Sequence, residues 1–215
     1  MTIVTDPKEE PLKRVLVLFA HPAQRTNSIN VAMAKRVGQL DSVTFVDLYA
    51  EYPRFEVDIE REQARLLAHD VIVFQFPLFW YSTPALLKQW QDLVLEYGFA
   101  YGPKGKRLAG KRVIASVTTG GSANDYSAQG GNKHPFPYFL LPLRQTAELC
   151  GMTFLPPFVL HSANHIDTAD ARMHIEAYPV LLEALASADF DTSHLELLPE
   201  ITTRDVAEIM AGAAT

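Results

Sequence analysis

The stretch Val71-Ile72-Val73-Phe74-Gln75-Phe76 decides the fold of this 215-residue chain, because five of its six residues are apolar. A strand with one face in water would alternate apolar and polar side chains. An unbroken apolar run instead indicates a strand buried on both faces, as in a parallel sheet. Residues 15–20 and 113–117 form two similar runs, and 43–46 and 154–160 are weaker candidates. The sequence therefore predicts a five-stranded parallel sheet.

Segments whose apolar residues recur at helical spacing lie between the predicted strands. These segments are residues 29–40, 60–68, 84–97, 140–150 and 169–185. Strands that alternate with helices favour an α/β fold, in which helices cover both faces of a parallel sheet. Five strands suit the flavodoxin-like order, in which ligands bind at the carboxyl ends of the strands.

We predict one flavodoxin-like domain over residues 14–185, with a polar N-terminal arm at 1–13 and a C-terminal extension at 186–215. The extension carries scattered acidic residues and a short helical pattern at 206–210. Such a segment suits either an arm that packs on the domain or a partly ordered tail.

Composition excludes several classes of function. The net charge is −6 and no long basic run is present, so we expect no nucleic-acid partner. The only cysteine, Cys150, cannot form an intramolecular disulfide and is expected to be a buried apolar residue. No signal peptide or membrane span is evident, so we expect a cytoplasmic protein. The seven histidines lack metal-ligand spacing, and we predict no metal site.

The loop after the first strand begins at His21 and ends where a helix starts. Asn27 or Ser28 is expected to cap that helix. The free N–H groups and positive dipole end of a helix N-terminus also suit a phosphate group. A cap alone is the simpler interpretation of this loop, and neither a Walker lysine nor a GxGxxG motif is present.

Two further loops have unusual chemistry. Phe79, Trp80 and Tyr81 follow the third strand and indicate either a hydrophobic contact patch or a wall for a flat aromatic ligand. Gly120 and Gly121 follow the fourth strand and allow either a simple turn or a close approach of backbone N–H groups to a ligand. Because loops after parallel strands share one edge, the three loops together fit a flavin mononucleotide moiety better than any one alone.

The chain resembles the flavodoxin-like NAD(P)H:quinone oxidoreductases, and within them the ancillary flavoproteins of glutathione-regulated potassium efflux systems. The resemblance spans about residues 15–185. It lies in the motifs at 20–22, 27–30, 77–81 and 118–121, with support from 47–49, 98–102, 150–151 and 155–158.

The resemblance implies roles for individual residues. The cofactor would be bound by His21, Asn27, Ser28, Ile29, Asn30, Leu78, Phe79, Trp80, Tyr81, Thr119, Gly120, Gly121 and Ser122. Tyr126 corresponds to a catalytic tyrosine of the family. In the mammalian-type members that tyrosine works with a histidine, but the matching position here is Asn132, and the nearest imidazole along the chain is His134.

The resemblance also implies the reaction. FMN, or alternatively FAD, would accept hydride from NAD(P)H and pass two electrons to a quinone-type acceptor in a ping-pong cycle. Residues 165–172 are similar to the mammalian-type branch and keep FAD open. A homodimer is expected. The alternative function is a regulatory ancillary subunit that binds a potassium efflux antiporter, which would place the protein at the inner face of the membrane.

Overall fold

The computed structural model describes residues 12–22 and 28–213. In that part of the chain, six parallel strands form one sheet. They are β1 (Val15–Phe19), β2 (Val43–Asp47), β3 (Val71–Pro77), β4 (Arg112–Thr118), β5 (Thr153–Phe154) and β6 (Phe158–Leu160). Their order is β2-β1-β3-β4-β5, and β6 also pairs with β4. This is the flavodoxin-like order, so the predicted fold class is confirmed.

The three apolar runs of the sequence form the centre of the sheet. Every residue of β1 and β3 is buried, as their lack of alternation predicts. Side chains of one strand reach opposite faces, so Leu16 and Leu18 pack in one core while Val15 and Val17 pack in another. The sheet is therefore buried on both sides.

The predicted strand at residues 154–160 is instead two short strands, and this detail of the prediction is wrong. Thr153 pairs with Arg112, and Phe158 pairs with Ser116, so β5 and β6 continue along the same neighbour, β4. Pro156 lies between them, followed by Pro157. Proline has no N–H to donate to a strand ladder, so the pairing is interrupted there.

Helices cover the two faces of the sheet. They are α1 (Ile29–Val37), α2 (Leu48–Glu51), α3 (Ile59–Ala68), α4 (Ala85–Val94), α5 (Leu141–Leu149), α6 (Thr168–Ala186), α7 (Ser193–Glu196) and α8 (Thr203–Ala213). Side-chain oxygens of Ser28, Asp58 and Asp167 cap α1, α3 and α6. None of the described helices combines the length and apolarity needed to cross a bilayer.

The described part of the C-terminal extension packs against the domain. Leu195, Ile201 and Val206 are buried in the same core as Tyr178 of α6. Ile201 also forms a parallel bridge to Phe158 of β6, at the edge of the sheet. The extension thereby reaches the strand whose carboxyl end lies beside the candidate site.

Candidate functional site

The carboxyl ends of four strands lie side by side. Phe19 of β1 pairs with Gln75 of β3, and Thr118 of β4 pairs with both Pro77 and Leu160. The loops that begin after β1, β3, β4 and β6 therefore share one edge of the sheet, as parallel pairing requires. We call these loops together the carboxyl-edge site.

The first part of the site joins β1 to α1. Ser28 caps α1 by accepting a hydrogen bond from the Val31 N–H at 3.2 Å, and the first turn contains no acidic residue. Asn30 is buried, and its Nδ2 donates to Thr118 Oγ1 at 2.5 Å. This contact ties the start of α1 to the end of β4. Asn27, predicted to bind the cofactor, lies outside the described residues.

His21 is buried beside this helix start. Its Nε2 lies 3.4 Å from Ser28 Oγ, and its buried Nδ1 has no hydrogen-bond partner among the described residues. Burial lowers the pKa of the His21 imidazole, which is therefore neutral at physiological pH. A neutral ring can donate one hydrogen bond and accept another.

The aromatic loop after β3 is a tight two-residue turn. The backbones of Phe79 and Ser82 exchange hydrogen bonds of 3.1 and 3.0 Å. The two central residues have positive φ, 47° for Trp80 and 63° for Tyr81, which is unusual for aromatic side chains. Trp80 is 93% exposed, whereas its neighbours Phe79 and Tyr81 are about half exposed. A strained turn thus presents large aromatic surfaces to solvent.

The glycine loop after β4 is fixed by a hydrogen bond from buried Thr119, while its Gly120 faces solvent. Thr119 is buried, and its hydroxyl donates to the Gly121 carbonyl at 2.8 Å. Gly120 is exposed, and a Cβ there would come within 3.3 Å of the Asn164 side chain. Ser122 forms a capping box with Asp125 at the short 3-10 helix Ala123–Tyr126, and its hydrogen bonds lower the pKa of the Asp125 carboxyl.

Tyr126 ends that short helix and lies among aromatic rings. Its ring centroid is 5.4 Å from that of Phe136, 5.4 Å from that of Phe139 and 5.5 Å from that of His161. Burial raises the pKa of the Tyr126 phenol, and a hydrogen bond with Thr119 offsets part of that rise. The hydroxyl is therefore protonated at neutral pH and can act as a donor.

The histidine that packs on Tyr126 in space is His161, whereas the histidine nearest to Tyr126 along the chain is His134. The His134 ring stacks on Tyr138, 6.0 Å away, whereas His161 packs against Tyr126 itself. Asn132, at the position of the family's histidine, accepts a hydrogen bond from the Tyr81 hydroxyl at 3.2 Å. Sequence reasoning missed His161, although its position directly after an apolar strand candidate was a usable signal.

Glu200 is a second residue that sequence reasoning missed. It precedes Ile201 in the C-terminal extension, and its carboxylate lies 3.1 Å from His161 Nε2. No local motif marks this residue. Its place depends on the bridge between Ile201 and Phe158, a contact between residues more than forty positions apart.

Comparisons with known proteins agree with this architecture. The model of the Flavodoxin_2 family, described as a flavodoxin-like fold, matches residues 13–179. The glutathione-regulated potassium-efflux system ancillary protein KefG of Escherichia coli is 44% identical over 165 residues, which are 77% of this chain and 90% of KefG.

Solved structures give the same result. General stress protein 14 from Treponema denticola, in complex with FMN, has a TM-score of 0.75 and 36% identity, covering 80% of this chain and 99% of its own. An NADPH-quinone reductase from P. pentosaceus has a TM-score of 0.71 and 28% identity, covering 81% and 98%. The resemblance predicted from the motifs is confirmed, and the chain belongs to the Flavodoxin_2 family.

Proposed function

We propose that this protein is an FMN-dependent NAD(P)H:quinone oxidoreductase whose cofactor binds at the carboxyl-edge site. The observation that carries the proposal is the meeting of a helix N-terminus, an exposed aromatic turn and an open glycine loop at one sheet edge. The FMN complex of the Treponema relative and the NADPH-quinone reductase structure support it.

The residues present fit FMN. The N-terminus of α1 carries no acidic side chain in its first turn, so its N–H groups favour the negative charge of a phosphate. Buried His21 Nδ1 lacks a hydrogen-bond partner among the described residues, and a ligand would supply one. Gly120 keeps open a space that a Cβ would crowd. Exposed aromatic rings suit stacking on a flat heterocycle.

We assign the binding of FMN to three groups of residues. The phosphate and ribityl chain are bound by the segment before and at the start of α1, namely His21, Asn27, Ser28, Ile29 and Asn30. The aromatic turn, with Leu78, Phe79, Trp80 and Tyr81, lines the isoalloxazine ring. The glycine loop, with Thr119, Gly120, Gly121 and Ser122, bonds the polar edge of that ring.

The chain's own residues orient the reactants and deliver protons. The bound flavin supplies the hydride chemistry, and the protein tunes and shields it. Nicotinamide and quinone are both planar, so one stacking place serves each in turn, which gives ping-pong kinetics. The Tyr126 hydroxyl, protonated because burial raises its pKa, donates a hydrogen bond and then a proton to the quinone oxygen.

Cofactor release and turnover test this function together. Purified protein is expected to be yellow, and heat is expected to release FMN that chromatography separates from FAD. The protein should oxidise NAD(P)H when a soluble quinone is added, with parallel lines in double-reciprocal plots. Protein that remains colourless after incubation with FMN or FAD would overturn the proposal.

We propose a homodimer on the basis of exposed apolar side chains. Trp80, Tyr138 and Leu141 are 93%, 59% and 48% exposed, which is costly for a monomer in water. A two-fold contact between equal patches would bury these side chains and close the site from solvent. Sedimentation of the FMN-bound protein should give the mass of two chains, and the mass of one chain would contradict this.

A second candidate function is that of an ancillary subunit of a potassium efflux antiporter. It rests on the 44% identity to KefG over most of both chains. Co-purification of this protein with an antiporter produced in the same cell would support it. Recovery of the antiporter without this chain, under conditions in which the quinone reaction is active, would count against it.

A further inference from the structure

We propose that Glu200 is a positioning residue that fixes the His161 ring against Tyr126, the proposed proton donor to the quinone. The proposal rests on the proposed quinone reductase activity and deepens it. Glu200 lies beyond residue 179, where the match to the family model ends. The C-terminal extension would therefore complete the acceptor side of the carboxyl-edge site.

The contact between Glu200 and His161 is well placed for a charge interaction. His161 Nε2 lies 3.1 Å from both carboxylate oxygens of Glu200. Their side chains are only 12% and 21% exposed for histidine and glutamate, respectively. A pair so sheltered is screened by water and salt less than a surface pair.

The other side of the imidazole faces Thr119. His161 Nδ1 lies 3.2 Å from Thr119 Oγ1, whose own proton is donated to the Gly121 carbonyl. Both ring nitrogens of His161 therefore have partners, Thr119 on one side and Glu200 on the other, and the orientation of the ring is fixed.

The ring held in this way lies against Tyr126. The His161 ring packs directly on the Tyr126 phenol, with 5.5 Å between centroids and 40° between planes. Because Thr119 and Glu200 contact the two nitrogens of that ring, they fix the surface against which the phenol packs.

The backbone around Glu200 fixes its position. The Ile201 N–H donates to the Pro157 carbonyl at 2.7 Å, and the Ile201 carbonyl accepts from Val159 N–H at 3.0 Å. Ile201 itself is fully buried. Glu200 is thus held by a residue that extends the sheet edge, although it lies in a loop between α7 and α8.

Proton balance gives the arrangement a chemical purpose. A quinone becomes a hydroquinone by taking one hydride equivalent, which reduced FMN supplies, and one proton. Tyr126 gives its hydroxyl proton to the quinone oxygen, and its phenolate regains a proton from solvent. The His161 ring, held by Glu200, keeps the Tyr126 phenol in place for this transfer.

The test compares Glu200→Gln with Glu208→Gln. Both remove one carboxylate charge from the C-terminal extension, but Glu208 pairs with Arg204 on the exposed surface of α8. In the FMN-bound enzyme, Glu200→Gln is expected to lower kcat/KM for quinone about ten-fold, less than the roughly hundred-fold or more of a direct acid catalyst, because Glu200 acts through His161. Reduction by NAD(P)H and turnover with ferricyanide, which takes an electron and no proton, should stay within two-fold of wild type.

A second readout does not depend on activity. Nitrogen-15 spectra of labelled histidine should show the His161 Nε2 signal at the same position in wild type and Glu208→Gln, and at a shifted position in Glu200→Gln, where the carboxylate partner is lost. Equal quinone kinetics or equal His161 spectra in the two variants would overturn the role of Glu200. A wild-type enzyme with no quinone turnover would instead overturn the proposed function.

Discussion

Two glutamates of this chain carry their charge in opposite surroundings. Glu62 of α3 has no exposed side-chain surface, and Tyr52 Oη and Trp90 Nε1 donate to it at 2.6 and 2.9 Å. Arg65 also pairs with it. Glu200 keeps about a fifth of its side chain exposed and contacts one titratable ring that itself faces the carboxyl-edge site.

Glu62 belongs to a hydrogen-bonded network that stabilises the fold, whereas Glu200 belongs to a network that we propose serves the reaction. Around Glu62 both carboxylate oxygens have donors, and burial, together with the hydrogen bond to Glu62, raises the pKa of the Tyr52 phenol far above its usual value. No proton is available for transfer in such a closed cluster. Around Glu200 the hydrogen bonds run outward through His161 to Thr119, and the His161 ring packs on the Tyr126 phenol at the edge of the site.

The largest expected effect is on the closed network. Glu62→Ala should lower the free energy of unfolding by about 2–5 kcal/mol, because it leaves the buried Trp90 indole N–H and the Tyr52 phenol without their acceptor. Urea unfolding measures the loss. Glu60→Ala, an exposed position two residues earlier on α3, is the matched control. Equal stability of the two variants would mean that the buried network contributes nothing.

The next expected effect is the pH dependence of stability that His174, a histidine buried in the core, produces. His174 is buried, stacks on Phe158 at 4.2 Å, and bonds Thr203 at 3.0 Å. Burial lowers its pKa from 6.5 to about 3. The unfolded chain thus binds this proton first, so stability is full above pH 6.5 and is lost as pH falls toward 3.

This pH dependence can be measured by urea unfolding at a series of pH values. His174 should contribute a slope of roughly 1.4 kcal/mol per pH unit within that window. His174→Gln should have a shallower slope than wild type, whereas His134→Gln, at an exposed position, should keep the wild-type slope. Parallel slopes in all three proteins would contradict the burial argument.

A smaller effect is expected at Tyr126, which packs on His161 at the edge of the carboxyl-edge site. Tyr126→Phe removes only the hydroxyl that would donate to the quinone. We expect kcat/KM for quinone to fall about ten-fold, equivalent to about 1.4 kcal/mol of transition-state stabilisation. Stopped-flow spectra should place the defect in flavin reoxidation by quinone. Wild-type rates in both half-reactions would remove Tyr126 from the site.

The smallest expected effect concerns the aromatic turn. Trp80→Ala should weaken FMN binding by about 1 kcal/mol through lost stacking, roughly a five-fold rise in Kd. Its effect on unfolding should be slight, since Trp80 is 93% exposed. Fluorescence titration with FMN gives the Kd, and Leu197→Ala, 86% exposed on the C-terminal extension, is the control. An unchanged Kd would show that Trp80 does not face the cofactor.

The strands and their shared edge were predictable because a strand buried on both faces is an unbroken apolar run in the sequence. The runs at 71–76 and 113–117 became β3 and β4, and their loops met as parallel pairing requires. The break at Pro156 was missed in the predicted strand at 154–160, although proline cannot donate a ladder hydrogen bond and so marks the break in the sequence. Local chemistry therefore accounts for most of the fold.

The partners of Tyr126 were not predictable in the same way. His161 lies 35 residues further along the chain and Glu200 lies 39 residues beyond that, so no local spacing relates them. Their contact depends on how the C-terminal extension joins the sheet through Ile201. Long-range packing of this kind is decided by the whole core and leaves no short motif.

A sequential stopped-flow experiment tests the carboxyl-edge site most directly. Anaerobic protein loaded with FMN is mixed first with NAD(P)H and then with a soluble quinone, while flavin absorbance is followed. The expected result is full bleaching in the first step and full recovery in the second, each at rates that match turnover. Bound FMN that NAD(P)H fails to bleach, or reduced protein that quinone fails to reoxidise, would contradict the proposed oxidoreductase.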